Sequence, residues 1–425
     1  MAKNNIVVGL DIGTTTVRAI IAERDPLGNF SITGVGQSPS TGLRKGVVVN
    51  IEATLRSIAV AMEAAEDMSR QIARECWIGI GGNHVEGVIS RGVVAVKGNN
   101  RDHSEISEDD LEHVRYIACS FKLPMDRTTI EVIPQTYIVD GQAGIRDPLH
   151  MIGMRLESEV LIITCSQTSE QNLVKCVNRA GFTVNGAILQ TLAAGRAVLT
   201  EEEKEMGAAL LDLGGGTSNI LAYQQGAAFF TSSIPAGGNQ VTNDISIVKN
   251  IAFDAAEKIK IEAGCCWEPF LEGIDDSIIV PGMGGRPPIL IPRSQILQIV
   301  KPRMVEIFQL VKAKIEEVRP LRTLGGGIVL TGGGANLAGV AELAAEVFNK
   351  PVRIGNPLPA GGLVDEYRNP VYATAVGLVL EGNDREGGVD QSAGSGSFSS
   401  RTGGAEWNPL SVFGKIGGWI KREFF

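Results

Sequence analysis

Apolar residues occur along this chain in two spacings, short unbroken runs and repeats every three to four positions, and their alternation predicts a mixed α/β protein. Residues 6–10 (Ile-Val-Val-Gly-Leu) and 17–22 (Val-Arg-Ala-Ile-Ile-Ala) read as strands joined by the turn 11–16. Helical spacing follows over 51–74, where Leu55, Ile58, Ala59, Met62 and Ala65 share one face. A strand-rich stretch over 77–160 is broken by one helix near 108–121, with Ser107 as its N-cap and Asp110 three positions on, close to a capping box. A strand at 160–165, a helix at 169–180 closed by Gly181 and an Ala-rich helix near 190–199 come next. The pattern then restarts, with strands at 208–213 and 218–223 flanking Gly214-Gly215-Gly216-Thr217. Both copies read Asp-apolar-Gly-x-x-Thr between apolar strands, about one domain length apart. That is a duplicated architecture, not a short-period solenoid.

The patterning changes after residue 382. Residues 383–406 are rich in Gly, Ser, Asp and Arg and predict a flexible linker with an r.m.s. reach of about 25–30 Å. Residues 407–425 then form a separate amphipathic segment, which Pro409 is suited to open. On a helical wheel Leu410, Val412, Phe413, Ile416, Trp419, Ile420 and Phe424 share one half, and Lys415, Lys421 and Arg422 lie opposite. At about 24 Å such a helix is too short to span a bilayer, so it is expected to lie in the interface of an anionic membrane. Gly414, Gly417 and Gly418 lower its helix propensity, which predicts disorder until it binds. Docking of the helix on its own body is the alternative.

Composition narrows the classes. The net charge of −9 argues against a general nucleic-acid binder. The six cysteines have neither paired nor zinc-ligand spacing, which predicts buried thiols in a reducing cytosol. The start Met-Ala-Lys-Asn-Asn lacks the features of a signal peptide, and no apolar run is long enough to cross a bilayer. The four histidines lack metal-ligand spacing, and no nucleophile–base constellation stands out.

The two turns carry the candidate chemistry. A tight Gly/Thr turn directs several backbone N–H groups at one point and so suits phosphate; threonine hydroxyls add donors without charge. Asp11 and Asp212, which end the preceding strands, would repel phosphate directly, so their natural partner is Mg²⁺. Two facing turns would clamp a polyphosphate and its metal. For either turn alone, a simple tight hairpin is an equal reading. A third cluster, Gly332-Gly333-Gly334, follows strand 328–331 and precedes a helix expected near Asn336. It fits either a backbone passing close to an adenosine or a packing turn. Leu337 stands where a dinucleotide fingerprint needs its last glycine, and no P-loop is present. In helix 254–263, Glu257 and Lys260 could bracket a ribose or simply form a solvated charged face.

Several segments resemble the FtsA family of the actin, Hsp70 and sugar-kinase superfamily. They are Gly9-Leu-Asp-Ile-Gly-Thr, Lys45-Gly-Val-Val, Val132-Ile-Pro-Gln-Thr-Tyr, Leu210-Leu-Asp-Leu-Gly-Gly-Gly-Thr, Gly284-Gly-Arg-Pro-Pro, Gly327-Ile-Val-Leu-Thr-Gly-Gly, Val371-Tyr-Ala-Thr-Ala-Val-Gly-Leu and the terminal Trp419-Ile-Lys-Arg. The resemblance implies an actin-like (duplicated ribonuclease H-like) fold of two halves around a nucleotide cleft. The first core subdomain would comprise 1–82, 160–203 and 364–382, with the family's small subdomain at 83–159. The second core would comprise 204–236 and 305–363, with its small subdomain at 237–304. By position, Asp11, Gly13, Thr14, Thr15 and Thr16 would form the first phosphate loop, and Asp212, Gly214, Gly215, Gly216 and Thr217 the second. Glu257 and Lys260 would line base and ribose, and Gly332, Gly333, Gly334 and Asn336 would lie by the adenosine. Gln190 would orient a water for at most weak ATP hydrolysis, with Asp11 and Asp212 serving Mg²⁺. The resemblance further implies head-to-tail filaments and other division partners. The C-terminal tail of the tubulin-like protein FtsZ would dock on 237–304, whose Arg286, Arg293, Lys301 and Arg303 suit its acidity. Membrane contact would fall to Leu410, Phe413, Ile416, Trp419, Ile420, Lys421, Arg422 and Phe424, at the cytoplasmic face of the septum. The alternatives are a small-molecule kinase of the superfamily, which lacks a candidate base here, and a pilus-assembly scaffold, against which the tail argues. An Hsp70-type chaperone would need a substrate domain after residue 382.

Overall fold

A computed structural model describes residues 5–24, 30–97, 104–120, 123–272, 277–280, 287–358, 361 and 367–388. The chain opens with an antiparallel meander of β1 (Ile6–Ile12), β2 (Thr16–Arg24) and β3 (Phe30–Pro39). A hairpin of β4 (Leu43–Arg44) and β5 (Val47–Val48) leads into α1 (Ile51–Ser69), and β6 (Glu75–Ile80) returns parallel to β1. α1 ends five residues short of the predicted 74, at Arg70 in left-handed conformation. Its buried stripe, Ala53, Ser57, Ala61 and Ala65 beside Thr54, Ile58 and Met62, is made largely of small residues because β3 lies close. A Cβ on Gly36 would stand 2.0 Å from Ala61 O. Leu55 and Ala59 are only half-buried.

The next stretch holds β7 (Glu86–Ala95), β8 (Ser104–Glu105), α2 (Glu108–Cys119), β9 (Arg127–Val139), β10 (Gln142–Ile145), β11 (Ile152–Gly153) and β12 (Arg155–Ser166). Its main sheet runs β10-β9-β12-β7, and α2 packs Leu111 and Val114 into a core with Val94, Ile106, Tyr137 and Leu156. The capping box at Ser107 and Asp110 forms as the spacing predicts. Contacts group Gly87–Thr164 into one compact unit with the end of the last helix from Glu381; Met1–Glu86 and Cys165–Leu380 form the other.

After α3 (Gln167–Arg179), β13 (Thr183–Leu189), α4 (Gln190–Val198) and α5 (Glu201–Met206), the opening design recurs. β14 (Ala208–Leu213), β15 (Ser218–Gln224) and β16 (Ala227–Ile234) form a second meander. They are followed by α6 (Gly238–Lys249), α7 (Phe253–Ala263), the hairpin β17 (Ser277–Val280) and β18 (Ile289–Pro292), and α8 (Arg293–Glu316). β19 (Gly327–Thr331), α9 (Val340–Phe348), β20 (Val352–Ile354) and α10 (Ala373–Gly388) complete the described chain. The sheets have one topology, β3-β2-β1-β6-β13 and β16-β15-β14-β19-β20, each with a central strand antiparallel to the next and parallel to a later one. The duplication seen in two short turns therefore extends to whole sheets.

Two further boundaries differ from the sequence reading. α10 continues to Gly388, so the first residues of the expected 383–406 linker are helical. Within it Arg385 donates to Glu131 at 2.7 Å and lies 3.8 Å from Glu381, an anchoring that composition does not reveal. After Gly332 comes a 3₁₀ turn, Gly333–Asn336, and the α-helix begins only at Val340. The rest of the linker and the amphipathic segment 407–425, with all eight expected membrane residues, lie outside the described residues, as does Arg286. No helix among the described residues is long and apolar enough to cross a membrane.

Candidate functional site

Asp11 and Asp212 end equivalent strands, and the turns after them close alike. Gly13 N–H donates to Thr16 O at 3.1 Å, and Gly214 N–H donates to Thr217 O at 2.9 Å. Each first glycine is needed for the same reason, since a Cβ would stand 2.8 Å from Thr16 O or 2.9 Å from Thr217 O. The turns also meet. A Cβ on Gly215 would lie 1.9 Å from Thr15 Oγ1, and one on Gly216 would lie 2.8 Å from Thr14 Cγ2. Neighbouring backbone holds both in place. Gly46 N–H donates to Thr14 Oγ1 at 3.2 Å, while Gly238 and Asn239 N–H at the start of α6 donate to Gly214 O and Gly215 O at 2.9 and 2.8 Å.

The carboxylates face inward, each aspartate only 8% exposed. Strand register sets Arg18 opposite Asp11 and Asn219 opposite Asp212, so the two copies carry a cation and an amide at equivalent positions. Gln190, the first residue of α4, donates from Nε2 to Asp11 Oδ1 at 3.0 Å. Burial pushes the Asp11 carboxyl up to about 6; Asp212 adds to the rise, while Arg18 and the Gln190 hydrogen bond oppose it. Burial likewise raises Asp212 to about 6 against the Asn219 hydrogen bond and the Arg18 charge. Burial disfavours the ionised form of both groups, as does the neighbouring like charge at Asp11, a cost that a bound cation would offset. Among the described residues they belong to no cluster of three or more His, Cys, Asp or Glu.

The structure gathers the remaining expected residues unevenly. Gly332, at φ +78°, abuts Asp212, because a Cβ there would be 2.2 Å from Oδ1; Gly334 packs on Leu213, and Gly333 is exposed, with only Val371 Cγ1 within 4.0 Å of a Cβ there. The cluster is thus a packing turn at two positions and an accessible backbone at one. Asn336 Nδ2 donates to Asn369 Oδ1 at 2.9 Å. Lys260 Nζ donates to Glu257 Oε2 at 2.7 Å, Thr242 Oγ1 at 2.9 Å and Gly238 O at 3.2 Å, which sets the pair beside the second turn and not on a solvated face. The expected partner-binding cations have internal contacts. Arg293 Nε donates to Ala263 O, Lys301 pairs with Glu268 at 2.7 Å over the Trp267 ring, and Arg303 pairs with Asp244 and Glu306. All six cysteines are buried.

Sequence reasoning missed Arg18, Asn219, the Gly237-Gly238-Asn239 helix start and Tyr372. Arg18 and Asn219 each stand seven residues after their aspartate, a spacing visible once the turns are read as hairpins with a register. Tyr372 had no such signal; only folding brings it to Arg18.

Comparison with known proteins agrees with this architecture. A family model described as cell division protein FtsA matches residues 209–377, and one for the SHS2 domain inserted in FtsA matches 82–164. The chain is 41% identical over 423 residues to the cell division protein FtsA of Borreliella burgdorferi, covering all of both. It is 39% identical to that of Pseudomonas aeruginosa, covering 99% of each, and 36% to that of Escherichia coli K12, covering 98% of this chain and 96% of the relative. Among solved structures, the PilM-PilN type IV pilus biogenesis complex aligns with TM-score 0.62 at 16% identity, over 89% of this chain and 98% of that one. MreB5 of Spiroplasma citri bound to ADP aligns with TM-score 0.53 at 15% identity, over 89% and 95%. The fold is actin-like, with an SHS2 subdomain inserted in its first half.

Proposed function

This chain belongs to the FtsA family of cell-division proteins, and we propose that it serves there as an ATP-binding, polymerising adaptor that tethers the FtsZ ring to the membrane. The observation that carries the ATP reading is the pair of matched turns, closed by equivalent hydrogen bonds and in contact across the site. Their N–H groups and the hydroxyls of Thr14, Thr15, Thr16 and Thr217 supply donors for phosphate oxygens. Asp11 and Asp212 would hold Mg²⁺, partly through water, and that ion would offset the polyphosphate charge. Glu257 and Lys260 would meet the ribose and base, with Gly333 and Asn336 near the adenosine. Gln190 stands on Asp11 and would orient a water for slow hydrolysis. The MreB5 neighbour bound to ADP supports a nucleotide in this fold.

The further parts rest on family membership and residue chemistry. The acidic FtsZ tail would dock on 237–304, where Lys301 and Arg303 would exchange their present carboxylates for those of the peptide. The segment 407–425 would lie in the cytoplasmic leaflet at the septum, and head-to-tail filaments would multiply many weak anchors into a firm one. The site itself is tested by titrating the full chain with Mg·ATP in a calorimeter. Replacement of Asp212 by Ala should abolish binding, and an unchanged affinity would remove the clamp.

A further inference from the structure

Arg18 is placed unusually for a buried-cleft cation. It lies opposite Asp11 in the β1–β2 register, and its charge acts on both Asp11 and Asp212. Yet among the described residues no carboxylate approaches it within ion-pair distance, and its Nε is buried without a hydrogen-bond partner. What it does touch is an aromatic face, with the guanidinium carbon 5.6 Å from the centroid of the Tyr372 ring. A guanidinium resting over an aromatic ring keeps its terminal N–H groups for another partner, and these are donors with no acceptor among them. The matching partner is an anion with several oxygens in one plane of approach, such as a phosphoryl group.

The ring is a fixed platform. Tyr372 is 9% exposed and meets Tyr367 edge-on, with centroids 5.3 Å apart at 88°. The turn that carries it is stitched down at several points: Asn369 Oδ1 accepts from Val371 N–H at 3.1 Å, and Pro370 O accepts from Gly332 N–H at 3.2 Å and from Thr331 Oγ1 at 3.3 Å. The same turn therefore abuts the Gly332 approach to Asp212 and supports the ring beneath Arg18.

We propose that Tyr372 is a positioning residue that presents the edge of Arg18 to the phosphates of a bound nucleoside polyphosphate. The inference rests on the ATP reading above and adds to it a residue that touches no ligand. It is tested by titrating the full chain with Mg·ATP and, separately, with AMP. Tyr372→Leu should weaken ATP about three- to thirty-fold while sparing AMP, the range of a partly desolvated cation–π contact. Tyr372→Phe, which keeps the face and drops the hydroxyl, should restore most of that loss. Arg18→Gln should show the same ATP-selective defect, and adding Tyr372→Leu to it should change little further. Equal losses for ATP and AMP in Tyr372→Leu, or additive effects in the double variant, would reduce Tyr372 to a packing residue. Should Tyr372→Leu fail to fold, an unchanged ATP-to-AMP preference in Arg18→Gln overturns the proposal by itself. A wild-type chain that binds neither nucleotide overturns the ATP reading too, a result distinct from either.

Discussion

Asp11 and Asp212 are each kept in the fold with a carboxyl pushed up to about 6 from 3.8, burial being the main cause. The sign of the consequence follows from linkage. A carboxyl whose folded-state pKa is raised contributes stability below its unfolded value and loses that contribution as pH rises through the folded one. The ligand-free protein should therefore lose stability between about pH 4 and about pH 6, by on the order of 2–3 kcal/mol for each group. Asp212→Asn removes one of these charges and should raise the melting temperature at pH 7.5, with the gain shrinking as pH falls and vanishing below about pH 4. A variant that melts lower than wild type, or whose difference is independent of pH, would count against this account. A site residue that destabilises the free protein is what a cation-binding carboxylate pair predicts. Its identity was legible as an Asp ending a strand; its burial was not.

The helices show what small residues conceal. Hydrophobic spacing located α1, yet its packed stripe is mostly Ala, Ser and Thr set against glycines of β3, and such residues carry little signal in a hydropathy pattern. The crossing of α4 and α10 is tighter still. A Cβ on Gly377 would stand 1.7 Å from Ala193 O, so the backbones touch where a side chain would separate them. Gln190 begins α4, so this crossing sets the position of the amide on Asp11. Gly377→Ala should cost about 1–3 kcal/mol through overpacking, read as a lower urea midpoint with unchanged slope. Stability equal to wild type would mean that the helices separate without strain.

At the scale of the whole molecule, the proposed adaptor has two interfaces that can be separated by mutation. In a liposome flotation assay with a fluorescent FtsZ tail peptide, Trp419→Glu should release the protein from anionic vesicles and keep peptide binding. Lys301→Glu with Arg303→Glu should do the reverse, and loss of both activities in either variant would contradict separate sites. Much of the fold was readable from one chain. The sequence alone determined the duplication, the two Asp-Gly-Thr turns and the strand-rich stretch between them, because each depends on local spacing and turn chemistry. Tertiary structure decided which of the candidates meet. It brought Thr14 and Thr15 against Gly215 and Gly216, engaged Lys301 and Arg303 with carboxylates, carried α10 past residue 382 and laid Arg18 on Tyr372. The reason is physical. Each of these contacts joins residues far apart along the chain or depends on what lies beneath a side chain, and neither leaves a period in the sequence.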